Sequence, residues 1–317
     1  MIRKYGLAAI AAAFCVSLLA PAPAQAQVFT WTKDQMVDYT KLWTGDRFAD
    51  GRPKVPDSWL ERAKDMSQEE VIVNDFGLPG GGRGGFGGGG YSQYEGDFHV
   101  LHPDMKMVGR AVTVAFLPAR PDLDSVVQAH GKDKNITVNN QYVLDQLQPG
   151  DVLVVDLYGK KDGGTIVGDN LFYYVMKATK GGGLVVDGAI RDLDGLQSIP
   201  MPAYFRSANP TALTNQTAML AAYNVPVRIG NVTVMPGDLV VGDKEGVSFI
   251  PPQSAKRVLD SADTTHVHDE WTKKKFDEGK YKSTDIYSQP REQSLRDEYN
   301  DYLKKKLEEI KKTRGDQ

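Results

Sequence analysis

The stretch "TIVGDNLFYYVMKATKGGGLVVDGAIRD", residues Thr165–Asp192, decides the fold. Gly168-Asp169-Asn170 stands where a helix would begin, and "DNLFYYVMKATKG" reads as that helix, ended by glycine. "GGLVVDGAIRD" then reads as a strand built on an apolar run, with Arg191-Asp192 at its carboxyl end. In an α/β sheet that edge is where ligands bind. Asp169 alone reads as a helix cap. Arg191-Asp192 alone reads as a turn or surface ion pair. Taken together they offer a different chemistry. A helix start presents unpaired N–H groups to an anion, Gly168 permits close backbone approach, Arg191 grips paired oxygens, and Asp192 is a hard oxygen ligand for Mg²⁺ or Mn²⁺. Asp169 could hold a metal-bound water and act on it as a base.

Outward from this stretch the chain alternates strands and helices. "MVGRAVTVAFL" predicts a strand over Val108–Leu117, and "GDVLVVDLYG" a second, buried one. "SVVQAHG" and "NNQYVLDQL" read as short helical pieces. "VPVRIGNVTVMPGDLVVGDKEGVSFIP" reads as several short strands with Gly and Pro turns. Pro149-Gly150-Asp151-Val-Leu-Val-Val-Asp156 is echoed by Pro236-Gly237-Asp238-Leu-Val-Val-Gly-Asp243, in each case a Pro-Gly turn feeding an apolar strand. The expected organisation is a mixed α/β domain over 100–262. An N-terminal extension (27–99) precedes it and a helical C-terminal arm (263–317) follows.

The 317 residues, 41% of them hydrophobic, suffice for one large core or two small ones. A net charge of −3 gives no strong pull toward nucleic acid or an acidic membrane. Met1-Ile2-Arg3-Lys4, the apolar run Gly6–Ala20 and Ala24-Gln25-Ala26 form the three parts of a secretory signal peptide, residues 1–26. The expected location is therefore periplasmic or secreted, with no membrane attachment after cleavage. Cys15, the single cysteine, lies inside that segment, so the mature chain has no disulfide and no thiolate chemistry.

In the extension, "SWLERAKDMSQEEVIVN" predicts a helix capped by Ser58, with Trp59, Leu60, Ala63 and Met66 near helical spacing. The run Gly80–Tyr91 lacks a Gly-Lys-Ser/Thr ending and reads as a linker or surface loop in preference to a phosphate cradle. His99 and His102 lack metal-ligand spacing and read as surface or satisfied structural histidines. In the tail, Leu303, Leu307 and Ile310 form a narrow apolar stripe, and Glu308 precedes Lys312 by four residues. The stripe suits docking on this subunit or a neighbour; a solvated arm is the alternative.

The set "VGDNL" and "GLVVDGAIRDLDGL", flanked by "VGRAVTV" and "PGDLVVGDKEGVSFIP", resembles the RraA-like / 4-hydroxy-4-methyl-2-oxoglutarate aldolase family over roughly 100–260. The resemblance implies a swivelling β/β/α fold assembling as trimers or hexamers. It also implies a class II, divalent-metal-dependent aldolase or oxaloacetate decarboxylase acting on a small 2-keto acid through a pyruvate enolate. Carried over by motif, Gly168, Asp169, Asn170 and Leu171 form the substrate-binding turn. Arg191 binds the pyruvyl oxygens, Asp192 holds the metal (Mg²⁺ first, Mn²⁺ second), and Asp169 holds the water that exchanges the proton. The metal would act as a Lewis acid and the fixed donors would stabilise developing charge. The family enzymes place twenty residues between the Asp and the Arg. Here Asn170–Ile190 makes twenty-one, and "KGGG" is the expected place for the extra residue. A second acidic group is expected from the C-terminal helix, where His266 and Glu270 are the candidates and a charged helix face is the favoured reading. The alternative function is a noncatalytic exported binding or assembly protein of the same fold. The methyltransferase name sometimes given to the family finds no support, because no glycine-rich dinucleotide-type motif follows a strand here.

Overall fold

The computed structural model describes residues 30–72, 93–133, 135–162, 166–214, 216–287 and 289–314. Residues 1–26, read above as a signal peptide and including Cys15, and the glycine-rich run Gly80–Tyr91 lie outside them. Three short helices come first: α1 (Lys33–Tyr39), α2 (Asp57–Ala63) and α3 (Gln68–Ile72). The two-residue strands β1 (Tyr94–Glu95) and β2 (His99–Val100) follow. The central run is β3 (Met107–Pro118), α4 (Pro121–Lys132), α5 (Asn140–Leu144), β4 (Asp151–Lys160), α6 (Asp169–Thr179), β5 (Leu184–Ile190), α7 (Leu193–Leu196) and β6 (Ala203–Ala208). Five further strands, β7 (Ala218–Tyr223), β8 (Val227–Ile229), β9 (Val232–Val234), β10 (Leu239–Asp243) and β11 (Gly246–Ile250), precede α8 (Pro252–Asp277), α9 (Ser283–Ile286) and α10 (Gln293–Arg314).

Among the described residues one sheet runs β1-β11-β10-β3-β4-β5-β6-β2, and β8–β9 form a separate hairpin. The four strands β3 to β6 are parallel to one another. Strand β3 is long enough to serve two antiparallel partners along one edge: β10 pairs with its first half and β7 with its second, across a bulge at Ala115/Phe116. The period-two alternation of side chains then sorts the core into layers. Leu153, Val155, Leu184 and Val186 face α4–α7, meeting Val127, Val143, Phe172 and Val175. Val152, Val154, Val185 and Tyr204 face the opposite way, against Val227, Ile229, Val232 and Val234 of the hairpin. The result is the expected β/β/α layering. At the other end of the helical layer, α2, α3 and α8 cover Val108, Leu239 and Val241. The buried Asp187 of β5 ties the hairpin down, accepting from Gly230 N at 3.2 Å and pairing with the exposed Arg228 at 3.2 Å.

The two Pro-Gly-Asp turns adopt one geometry. Gly150 and Gly237 have φ of +81° and +89°, the left-handed region that glycine enters without cost. Asp151 and Asp238 are buried, and each carboxylate accepts the backbone N–H three residues upstream, from Gln148 and Met235, at 2.8 Å. Arg52 from the extension reaches in to pair with Asp151 at 2.8 Å and lies over the Phe48 ring at 4.2 Å.

Three local expectations change. Pro56, not Ser58, is the N-cap of α2, because Asp57 already lies in the helix, where its carboxylate pairs with Arg110. Lys180, one residue before the expected glycine, already turns left-handed after α6 (φ 58°); Gly181 (φ 87°) follows it, and its N–H closes the turn on Met176 O at 2.9 Å. The arm docks on α8 of the same chain through Leu295, Tyr299 and Tyr302, whereas Leu303, Leu307 and Ile310 are half-buried. Trp271 of α8, 1% exposed, anchors that contact, with the Tyr299 ring centroid 5.1 Å away. Helix α8 itself runs unbroken through residue 262.

Candidate active site

The crossover β4–α6–β5 builds the candidate site. Every residue of β5 is buried, so this strand runs through the centre of the sheet and delivers its carboxyl end to a fixed place. Asn209 N–H holds the last carbonyl, that of Ile190, at 2.8 Å. Asp192 then turns into the left-handed region (φ 61°, ψ 39°), a conformation that costs a non-glycine residue roughly 1–3 kcal/mol and that Asp tolerates better than most. Because it caps α7 from this conformation, its side chain makes no cap hydrogen bond, and its carboxylate is left at the surface of the cleft. The Asp192 carbonyl accepts from Leu196 N at 3.0 Å, which fixes α7 behind the site.

Helix α6 supplies the opposite wall. Phe172, Val175 and Thr179 form its buried face, so its start is set by packing and not by a capping side chain. Gly168 is the N-cap in extended conformation, and the Asp169 carboxylate accepts from Asn170 N–H at 2.7 Å. The turn Lys180–Gly183, with Lys180, Gly181 and Gly183 at positive φ, joins this helix to β5.

Asp169, Arg191 and Asp192 line one cleft of about 580 Å³. Arg191 Nε stands 3.7 Å from Asp192 Oδ2 and is buried without a hydrogen-bond partner among the described residues. A buried N–H donor in that condition is what an anionic ligand would satisfy. Gly168 lies against both members of the pair: a Cβ there would overlap Asp192 Oδ2 and come within 2.5 Å of Arg191 Nη2. Gly195 of α7 stands similarly behind Asp169, where a Cβ would lie 2.9 Å from the Asp169 Cβ. Asn170 is exposed, and Leu171 packs against the core beneath the helix start.

Asp194, Gly195, Asn209 and Pro210 also line the cleft, without having been singled out from the sequence. The Asn-Pro pair just beyond a strand was a turn signal that could have marked one of these segments. His266 and Glu270 are engaged elsewhere. His266 Nδ1 meets Glu70 at 2.9 Å, and Glu270 accepts from Tyr302 at 2.9 Å and pairs with Lys306 at 3.1 Å. His99 stacks on Phe205, and His102 Nε2 lies 2.9 Å from the Ile199 carbonyl.

The donor set fits a hard divalent cation held lightly. No group of three or more His, Cys, Asp or Glu among the described residues could cage a metal. Mg²⁺, however, needs only one or two carboxylates when waters and substrate oxygens complete the shell. Asp192, its side chain 37% exposed at the cleft, is such a carboxylate, and the glycine at 168 keeps the space beside it open.

Comparison with known proteins bears on the family of the chain. A putative 4-hydroxy-4-methyl-2-oxoglutarate aldolase of Halalkalibacterium halodurans is 37% identical over 126 residues, covering 39% of this chain and 58% of that protein. The chain thus spans a little over half the length of that relative. A putative 4-hydroxy-4-methyl-2-oxoglutarate aldolase of Arabidopsis thaliana is 28% identical over 152 residues, covering 48% of this chain and 83% of that protein. Among solved structures, Streptomyces coelicolor RraAS2, described as an unusual member of the RNase ES inhibitor RraA protein family, superposes with a TM-score of 0.55 at 28% identity, covering 70% of this chain and 98% of that one. The family model "RraA-like: Aldolase/RraA" matches residues 84–248, so the chain belongs to the RraA-like family.

Proposed function

We propose that the protein is a divalent-metal-dependent carbon–carbon lyase, of the class II aldolase or oxaloacetate decarboxylase type, that releases pyruvate from a small 2-keto acid. The observation that carries this reading is the convergence of Asp169, Arg191 and Asp192 on one cleft from a helix start and a strand end. Asp192 would hold the cation, with Mg²⁺ the first candidate. Bound there, the cation supplies Lewis acidity toward the 2-keto and carboxylate oxygens of the substrate.

The chain's own groups account for the rest. Arg191, partly exposed at the cleft and 3.7 Å from Asp192, meets the pyruvyl oxygens; its Nε makes no hydrogen bond among the described residues. The start of α6 adds the positive end of its dipole where negative charge grows as the carbon–carbon bond breaks. Asp169, at the same edge, moves the proton: it takes one from the substrate hydroxyl in the aldol cleavage, through a water, and returns one to the carbon left behind. Gly168, Asn170 and Leu171 complete the turn, with Leu171 anchoring it to the core. We further propose export through residues 1–26 and assembly as a homotrimer or hexamer.

The test is pyruvate release from oxaloacetate and from 4-hydroxy-4-methyl-2-oxoglutarate, with Mg²⁺ and with chelator, by the wild type and by Asp192→Ala. Release that needs both the metal and Asp192 supports the reading. No activity on any 2-keto acid, with metal binding unchanged in Asp192→Ala, would leave the noncatalytic binding role as the function.

A further inference from the structure

A second charged cleft lies away from the Asp169–Asp192 site, where the extension, α8 and the arm meet. Its volume is about 430 Å³, within the range of roughly 300–1,000 Å³ usual for small-molecule sites. Four cations, Arg62, Lys256, Lys311 and Arg314, line it against two carboxylates, Asp260 and Asp263. Each carboxylate is already shared. Asp260 pairs with Lys256 at 2.7 Å and Arg62 at 2.8 Å, and Asp263 pairs with Arg62 and Arg314, both at 2.6 Å. Two positive charges therefore remain uncompensated within the cleft.

Two details say that this surplus is a binding feature and not a solvated face. Arg62, a lining residue, is 8% exposed, and its Nε is buried without a hydrogen-bond partner among the described residues, so this guanidinium has unspent donor capacity. Lys311, exposed on α10, makes no ion pair among the described residues, unlike Lys256 and Arg314 beside it. Trp59 and Leu307 give the same cleft apolar lining. Walls of low polarity strengthen the attraction of a cationic cleft for anions.

We propose that this cleft binds a small organic dianion, a short-chain dicarboxylate whose hydrocarbon body lies on Trp59 and Leu307 and whose charges meet Lys311, Arg314 and Arg62. Because α2, α8 and α10 lie outside the segment that defines the family, the site belongs to this chain's additions. A ligand there fastens the arm to the body, and mass action raises stability by its binding.

The experiment is calorimetric titration, with thermal unfolding, of the chain from residue 27 to 317. Succinate and inorganic phosphate are the probes, at ionic strength held constant with NaCl. Saturable succinate binding with a rise in Tm is expected, weakened at least about tenfold in Lys311→Glu, the scale of one lost charge-assisted contact. Lys256→Gln should weaken it less, and pyruvate release should be unchanged in both variants. Binding of both probes also supports the site. Binding of phosphate alone overturns the dicarboxylate assignment. No saturable binding of either probe at millimolar concentration, or equal binding by Lys311→Glu, overturns the site.

Discussion

Gly168 and Asp192 stand so close that no side chain can be placed between them: a Cβ on Gly168 would overlap the Asp192 carboxylate and press within 2.5 Å of Arg191 Nη2. Gly168→Ala is thus a minimal probe of the cleft. Its backbone is extended, so alanine is tolerated conformationally and the disturbance falls on the pair itself. Pyruvate release should fall about 100-fold, the loss typical of a displacement near 1 Å in a catalytic group. Far-UV circular dichroism should be unchanged.

A second prediction concerns Arg52 and Asp151. The pair is fully buried, and Arg52 joins the extension to the sheet. Arg52→Ala leaves the Asp151 charge buried and unpaired and should lower stability by about 3–5 kcal/mol. Arg52→Met fills the volume but leaves the same charge, so it should recover little. Urea unfolding midpoints check both, and the double variant Arg52→Met with Asp151→Leu should recover most of the loss.

Asp238 has no such cation beside it among the described residues. Burial raises its carboxyl from the ordinary 3.8 to about 7, against the lowering effect of the Met235 N–H. The native state then keeps a proton that the unfolded chain has lost, so stability declines as pH rises from about 4 to 7 and the full penalty stands above 7. Asp238→Asn removes the ionisation. The variant's stability relative to wild type should rise by up to roughly 4 kcal/mol between pH 4 and 8, at about 1.4 kcal/mol per pKa unit. Denaturant melts at the two pH values measure it. A difference independent of pH would contradict the assignment.

The arm supplies a further prediction. Trp271 packs against Tyr299 and, with Ile286 and Leu295, forms a small core separate from the sheet. Trp271→Ala should cost about 3–5 kcal/mol locally. Limited proteolysis should then remove α10 while the sheet domain resists.

These features were unequally legible in the sequence. Strands β3, β4 and β5 and helix α6 could be read because their apolar residues recur at the periods that burial on one or both faces demands. The Pro-Gly-Asp echo was visible too, since a left-handed glycine and a buried Asp leave the same trace twice. That β8 and β9 leave the sheet to form their own layer could not be read from their pattern, because short apolar strands look alike whichever sheet they join. The roles of Arg52, Glu70 and Lys306 rest on partners distant in sequence, which no local pattern encodes. At the candidate site, Asp169, Arg191 and Asp192 were legible from their places at element ends. Asp194, Gly195 and Asn209 reach the cleft only through the left-handed turn at Asp192 and the placement of β6.

The most direct test of the metal-dependent lyase reading is pyruvate release from oxaloacetate above the metal-only blank, by wild type and Asp192→Asn, with Mg²⁺ and after chelation. Asp192→Asn keeps the shape of the turn and removes the charge. The account predicts release by the wild type with Mg²⁺, loss on chelation, and loss of at least about 100-fold in Asp192→Asn, the scale of removing a group that stabilises transition-state charge. Equal release by the two proteins, or release indifferent to chelation, would contradict it.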